Sequence, residues 1–201
     1  MSSPEVSRET LIERYFPERK DEIAAYSRLL TGAGIERGLI GPREGERIWK
    51  RHIFNCLPII SLLPQKSSLI DIGSGAGLPG IVIALARPDL SVSLIEPLER
   101  RQDFLEEAIA PLVANGAKIK VLRGQAQDFR EQAHYVTARA VAPLEKLRRI
   151  SWHLIKVGGS LLAMKGESAQ EEMKSVKNSI LHEITLEGLE LGRIVELRKG
   201  G

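Results

Sequence analysis

Apolar positions along the chain change rhythm near residue 66. Before it they recur every three or four residues, as on one face of a helix. In IERYFPERKDEIAAYSRLLTGAG, Pro17 opens a second helix, Ile23, Tyr26, Leu29 and Leu30 form its stripe, and Gly32 and Gly34 are expected to stop it. A further helix, EGERIWKRHIFNCLPIISLL, sets Ile48, Trp49, Ile53, Cys56, Leu57 and Ile60 against a basic side of Arg43, Arg47, Lys50 and Arg51. Residues 1–63 are therefore predicted to be an N-terminal helical extension.

From 66 onward, short β-branched runs alternate with helical patterns. Strands are expected at 68–73, 91–97, 117–124, 134–140 and 160–166, and helices at 79–86, 98–114 and 142–156, with Gly158 and Gly159 ending the last. That alternation predicts an α/β fold with a parallel sheet covered on both faces. The end, SILHEITLEGLELGRIVELRKG, predicts an antiparallel hairpin turning near Glu187 and Gly188. The second domain is thus expected to span 64–201.

Composition narrows the setting. A chain of 201 residues with 43% hydrophobic and 27% charged residues can bury a core without metals or disulfides, and its single cysteine, Cys56, cannot pair internally. The N-terminus lacks the apolar core of a secretory signal, and the run IVIALA at 81–86 is far short of a bilayer span. A cytoplasmic protein with no metal and no membrane partner is expected. The formal charge of only +3 does not by itself demand nucleic acid.

Candidate chemistry centres on LIDIGSGAGLPG. Gly75, Gly77 and Gly80 spell G-x-G-x-x-G, a pattern that elsewhere cradles a pyrophosphate. Asp71, two residues before Gly73, is expected to face the same crevice, where one anion beside another is unfavourable by about 1 kcal/mol or more. The loop therefore suits a cationic ligand better than a nicotinamide cofactor. S-adenosylmethionine fits, with Gly73, Gly75 and Gly77 permitting close backbone approach and Asp71 orienting the amino-acid end. The alternative for Asp71 is a cap on the following turn. Glu96, nineteen residues past Gly77, stands where an acid accepts from ribose hydroxyls in both nucleotide families. The segment 124–128 follows the third strand and either reads an adenine edge or caps the next helix.

The run LIDIGSGAGLPGIVIA, with RHIFN at 51–55, ARAVAPL at 138–144 and AMKG at 163–166, resembles the bacterial 16S ribosomal RNA guanine-N7 methyltransferases, the glucose-inhibited division protein B family. The resemblance spans roughly residues 20–195. It implies a Rossmann-like, seven-stranded class I methyltransferase sheet, mostly parallel with the C-terminal hairpin antiparallel. It further implies S-adenosylmethionine as methyl donor and N7 of guanine 527 as target. The implied partner is 16S ribosomal RNA or the small ribosomal subunit, acted on by a monomer, with no role for DNA.

Residue by residue, Gly73 and Leu78 match the family's donor contacts in the first loop, and Ala126 with Gln127 its adenine-side pair. Arg139 matches an arginine near donor and target base, and Arg51, His52 and Lys165 match positions around the RNA-facing cleft. Two departures stand out. Gly38, Leu39 and Ile40 replace a common Asn-Leu-Thr, and uncharged Gln127 replaces an acid. Because neutral guanine carries a lone pair on N7, methylation there needs no general base. Attack leaves a cationic purine, so Arg139 is expected at a phosphate, O6 or the donor's carboxylate rather than at N7. A small-molecule methyltransferase and a noncatalytic RNA-binding protein are the rival expectations.

Overall fold

A computed structural model describes residues 6–200, so the first five residues of the predicted extension and Gly201 lie outside the described residues. Seven strands form one sheet in the order β3-β2-β1-β4-β5-β7-β6. They are β1 Ser68–Ile72, β2 Ser91–Glu96, β3 Ile119–Arg123, β4 Ala133–Arg139, β5 Ile155–Lys165, β6 Ser179–Ile184 and β7 Gly192–Arg198. β1 pairs in parallel with β2 and β4, β2 with β3, and β4 with β5. β7 runs antiparallel to both β5 and β6. The predicted hairpin is therefore present, with its second strand inserted between β5 and its first.

Side chains alternate across a strand, and here the alternation sorts residues onto two cores. Leu69, Val92, Leu94, Leu162 and Met164 face one core, shared with α2 (Lys20–Leu29), α3 (Gly80–Ala86) and α4 (Glu99–Ala114). Ile70, Ile72, Ile95, Val136, Ala138, Leu161 and Ala163 face the other, covered by α5 (Leu144–Ser151) and α6 (Ala169–Met173). The N-terminal extension joins the first core through Phe16, Ile23, Tyr26, Leu30, Ile53 and Leu57, each at most 3% exposed. Its first helix, α1 (Arg8–Tyr15), is capped by Ser7, whose Oγ accepts from Thr10 N at 3.1 Å. Tyr15 Oη donates to the carbonyl of Glu187 at 2.7 Å, anchoring α1 to the β6–β7 connection. Among the described residues, no helix is long and apolar enough to cross a membrane.

Three local expectations are corrected. Gly32 and Gly34 do not end α2, because the chain widens into a π turn, Leu30–Gly34, and continues helically to residue 36. The helix expected over 44–63 is a succession of 3-10 and π turns, Pro42–Arg47, Ile48–Ile53, Phe54–Cys56 and Pro58–Leu62. Pro58 lacks the N–H that a continuous helix needs there. The helix expected over 142–156 stops at Ser151, and a 3-10 turn at Trp152–Leu154 leads into β5. Gly158 and Gly159 lie inside that strand. Gly158 N donates to Lys199 O and Lys199 N to Gly159 O, both at 2.8 Å, so distant backbone claims the pair for the sheet.

The two glycines differ in what they permit. A Cβ on Gly159 would stand 2.2 Å from the carbonyl oxygen of His134, which is backbone and cannot rotate aside. Gly158 has open space around it but a φ of +81°. Gly159→Ala should therefore cost about 3 kcal/mol or more, and Gly158→Ala only about 1–2 kcal/mol. Urea denaturation of the two variants checks the order, and equal losses would contradict the close approach of β5 to β4.

Candidate functional site

The glycine loop follows β1, and its amides are already engaged. Gly73 N and Ser74 N donate to Ile95 O at 2.8 and 3.1 Å, and Gly77 N and Leu78 N to Ser74 O at 2.7 and 3.2 Å. Gly75 N donates to Glu96 Oε2 at 2.9 Å, and Gly80 N to Asp71 Oδ2 at 3.0 Å. Positive φ values of 64°, 59° and 94° at Gly73, Gly75 and Gly77 make these short returns possible. A pyrophosphate cradle needs free N–H groups aimed at the ligand, and these six are turned inward. The loop offers bare backbone without an anion nest, which favours a ligand that is not a phosphate chain.

A cavity of about 470 Å³ lies over the C-terminal ends of β1, β2 and β4, a size suited to a nucleoside-bearing ligand. It brings together Gly73, Gly75, Leu78, Glu96, Arg139 and His52 of the expected site. Leu39 and Ile40, from the segment that departs from the family pattern, also line it, as does Arg101, which the sequence did not single out. Glu96 is 1% exposed; besides Gly75 it accepts from Leu98 N at 3.0 Å, tying the loop to the start of α4. A second cavity of about 470 Å³ shares Arg139 and Ala140 with the first and adds Asn55, Lys165 and Glu167. Ala126 and Gln127 line neither cavity. Ala126 is buried, with its carbonyl 3.1 Å from His153 Nε2, whereas Gln127 is exposed beside Gln125.

Asp71 does not face the crevice as expected. Strand alternation puts it on the side of Leu69, beneath the loop, where it is fully buried and holds Gly80 N at the start of α3. Its Oδ1 has no hydrogen-bond partner. Burial pushes its pKa up to about 7, against the pull of Ser74 and Gly80, and the nearby charge of Glu96 adds to the rise. Above it, Tyr26 Oη donates to Ala76 O at 2.6 Å, so α2 also fixes the loop. Neither Tyr26 nor Arg101 was legible beforehand, since both sit within ordinary helical patterns; the only signal at Arg101 was a cation in a first helical turn.

Arg139 shares its face of β4 with Thr137 and reaches the N-terminal segment. Nη1 donates to His52 O and Cys56 Sγ, and Nη2 to Arg51 O, all at 3.2 Å. Burial raises the Cys56 thiol pKa despite this guanidinium. His52 Nε2 lies 2.9 Å from Glu44 Oε2, and Arg51 pairs with the other oxygen of Glu44 at 3.3 Å. The hydrogen bond from His52 holds the Glu44 carboxyl below its usual range. Lys165 points to the opposite face, where its Nζ donates to Ala142 O at 2.8 Å and pairs with Glu172 at 2.7 Å. On the basic segment, Lys50 pairs with Glu190 at 3.1 Å, while Arg43 and Arg47 are exposed. Among the described residues, no group of three or more His, Cys, Asp or Glu is placed to hold a metal ion.

The buried acid makes stability depend on pH in an unusual direction. With its folded pKa raised to about 7, Asp71 binds a proton more tightly folded than unfolded, so its ionisation lowers stability as pH rises from about 4 to about 7. Asp71→Asn keeps an acceptor for Gly80 N and carries no charge, so melting temperatures across pH 5–8 should fall less steeply than in the parent. An unchanged slope would mean that Asp71 is ionised throughout.

With this geometry in view, the comparisons with known proteins are consistent. A family model described as rRNA small subunit methyltransferase G matches residues 19–192. Proteins named ribosomal RNA small subunit methyltransferase G are 50% identical in Kineococcus radiotolerans and 48% identical in Mycolicibacterium vanbaalenii. Each match takes in 84% of this chain, with 67% of the first relative and 75% of the second. Among solved structures, ribosomal protein L11 methylase from Lactobacillus delbrueckii subsp. bulgaricus aligns with a TM-score of 0.55 at 14% identity, over 73% of this chain and 77% of that one. The fibrillarin pre-rRNA processing protein of Methanococcus jannaschii aligns with a TM-score of 0.53 at 19% identity, over 72% and 70%. At such identities these structures speak for the fold alone, the class I methyltransferase sheet. The chain belongs to the rRNA small subunit methyltransferase G family and is a methyltransferase.

Proposed function

We propose that the chain methylates N7 of guanine 527 in 16S ribosomal RNA, with S-adenosylmethionine as donor. The observation that carries the donor is the glycine loop. Six of its amides are satisfied internally while its backbone still borders a cavity that Glu96 walls, an arrangement that fits a nucleoside with a cationic end. When bound, the donor supplies an electrophilic sulfonium methyl. The substrate rests on the family: the relatives' names specify small-subunit ribosomal RNA, and the motifs resemble those of guanine-N7 methyltransferases.

The roles of the residues follow from their contacts. Glu96 sits where it would accept from ribose hydroxyls while it holds Gly75 and Leu98 in place. Gly73 and Leu78 border the donor cavity, and Asp71 supports the loop from below rather than touching the ligand. Arg139 acts as a positioning residue, because its fork joins the end of β4 to the carbonyls of Arg51 and His52 and so fixes the basic segment at the cleft. Arg43 and Arg47 extend that segment toward RNA phosphates, a salt-sensitive contribution. The adjoining cavity, with Lys165 held against Glu172, is where the target base would enter. No residue need act as base, since N7 is unprotonated in neutral guanine; the cleft has to orient and to exclude water.

Incubating the protein with labelled S-adenosylmethionine and small subunits from cells lacking this methyltransferase, then mapping 7-methylguanine by chemical cleavage, tests the proposal. Label at the single predicted guanine supports it; label elsewhere, or transfer only to small molecules, overturns the assigned target. In the same assay Arg139→Lys should lower the rate about tenfold or more, because an ammonium cannot span both carbonyls and the thiol. Parent-like rates in that variant would show that the fork does not position the cleft.

A further inference from the structure

We infer that Arg101 binds the α-carboxylate of S-adenosylmethionine. This rests on the donor assignment above and names the partner of its anionic end. Arg101 stands in the first turn of α4 and lines the cavity that Glu96 and the glycine loop border. Its Nε is buried without a hydrogen-bond partner, and among the described residues no carboxylate pairs with its guanidinium. A cation there faces the positive end of the helix dipole, so the placement is unfavourable unless an anion joins it. An orphaned buried donor of this kind calls for a ligand.

The amino-acid end of the donor is a zwitterion, and the cavity is asymmetric toward it. Acids are near: Glu96 in the wall and Asp71 beneath the loop. Free donors for a carboxylate are scarce. Apart from Ala76 N, the amides of the loop are engaged: those of Gly73, Ser74, Gly75, Gly77 and Leu78 have acceptors, Pro97 has no N–H, and Leu98 N is held by Glu96. The other cationic or titratable groups in the lining are Arg139, committed to the backbone and thiol of residues 51–56, and His52, held by Glu44. Arg101 alone among these side chains keeps its fork unengaged. A carboxylate entering beside Glu96 would be repelled without it, and a guanidinium matches a carboxylate through two parallel N–H···O bonds.

Calorimetry with the full chain tests this without reference to turnover. The probes are S-adenosylmethionine and its decarboxylated form, which differ only in the carboxylate. Arg101→Gln should weaken S-adenosylmethionine by about tenfold or more, as expected for loss of a charge-assisted pair, and leave the decarboxylated form unchanged. Arg101→Lys should recover part of the loss, and a parent-like urea midpoint establishes that both variants are folded. Equal weakening of both ligands, or of neither, would overturn the assignment, as would a loss confined to RNA binding. A parent chain that binds neither ligand would instead overturn the donor assignment beneath it, and this inference with it.

Discussion

Two buried carboxylates hold the glycine loop in its shape, and most of the candidate site depends on them. Asp71 takes Gly80 N from below, and Glu96 takes Gly75 N and Leu98 N from the side. Between them they fix the start of α3, the crest of the loop and the entry to α4. Burying such groups is costly unless they are hydrogen-bonded, and each here accepts from backbone that has no other partner in regular structure. Asp71 is the less satisfied of the two, with one oxygen unpaired and a pKa drawn up to about 7. The same arrangement that stiffens the loop also withdraws most of its N–H groups from any ligand, those of Gly73, Ser74, Gly75, Gly77, Leu78 and Gly80. Recognition of an anion in this cavity therefore falls largely to side chains.

Strand alternation then decides which face each functional side chain serves. Asp71 and Arg139 point to the face packed by the N-terminal extension, and Lys165 points to the face packed by α6. Arg139 turns this into a join between distant parts of the sequence, because its guanidinium holds carbonyls more than eighty residues earlier in the chain. Tyr26 makes a similar join from α2 to the loop at Ala76. The extension thus belongs to the site as much as to the core, and Arg139 holds the middle of the irregular 3-10 and π turns over 42–62 at Arg51, His52 and Cys56. Its charge is partly neutralised at Lys50 and Arg51, leaving Arg43 and Arg47 as its exposed cations without an ion-pair partner among the described residues.

Much was legible in the sequence for local reasons. The change from helical to alternating periodicity near residue 66 located the sheet, and the β-branched runs located each parallel strand, because buried strands need such residues wherever they pair. The glycine spacing after Asp71, with Glu96 beyond it, marked the cavity, since only glycine adopts those φ values without strain. What the tertiary structure alone decided was which groups are left free. Gly158 and Gly159 read as a helix stop until Lys199 paired with them from the far end of the chain. Asp71 read as a ligand group until the parity of β1 turned it beneath the loop. Arg101 read as one more helical cation until packing buried its Nε with nothing to accept from it. Periodicity and turn chemistry are properties of neighbouring residues, and a sequence carries them directly. Whether a hydrogen-bonding group is engaged or free depends on partners brought near only by the fold.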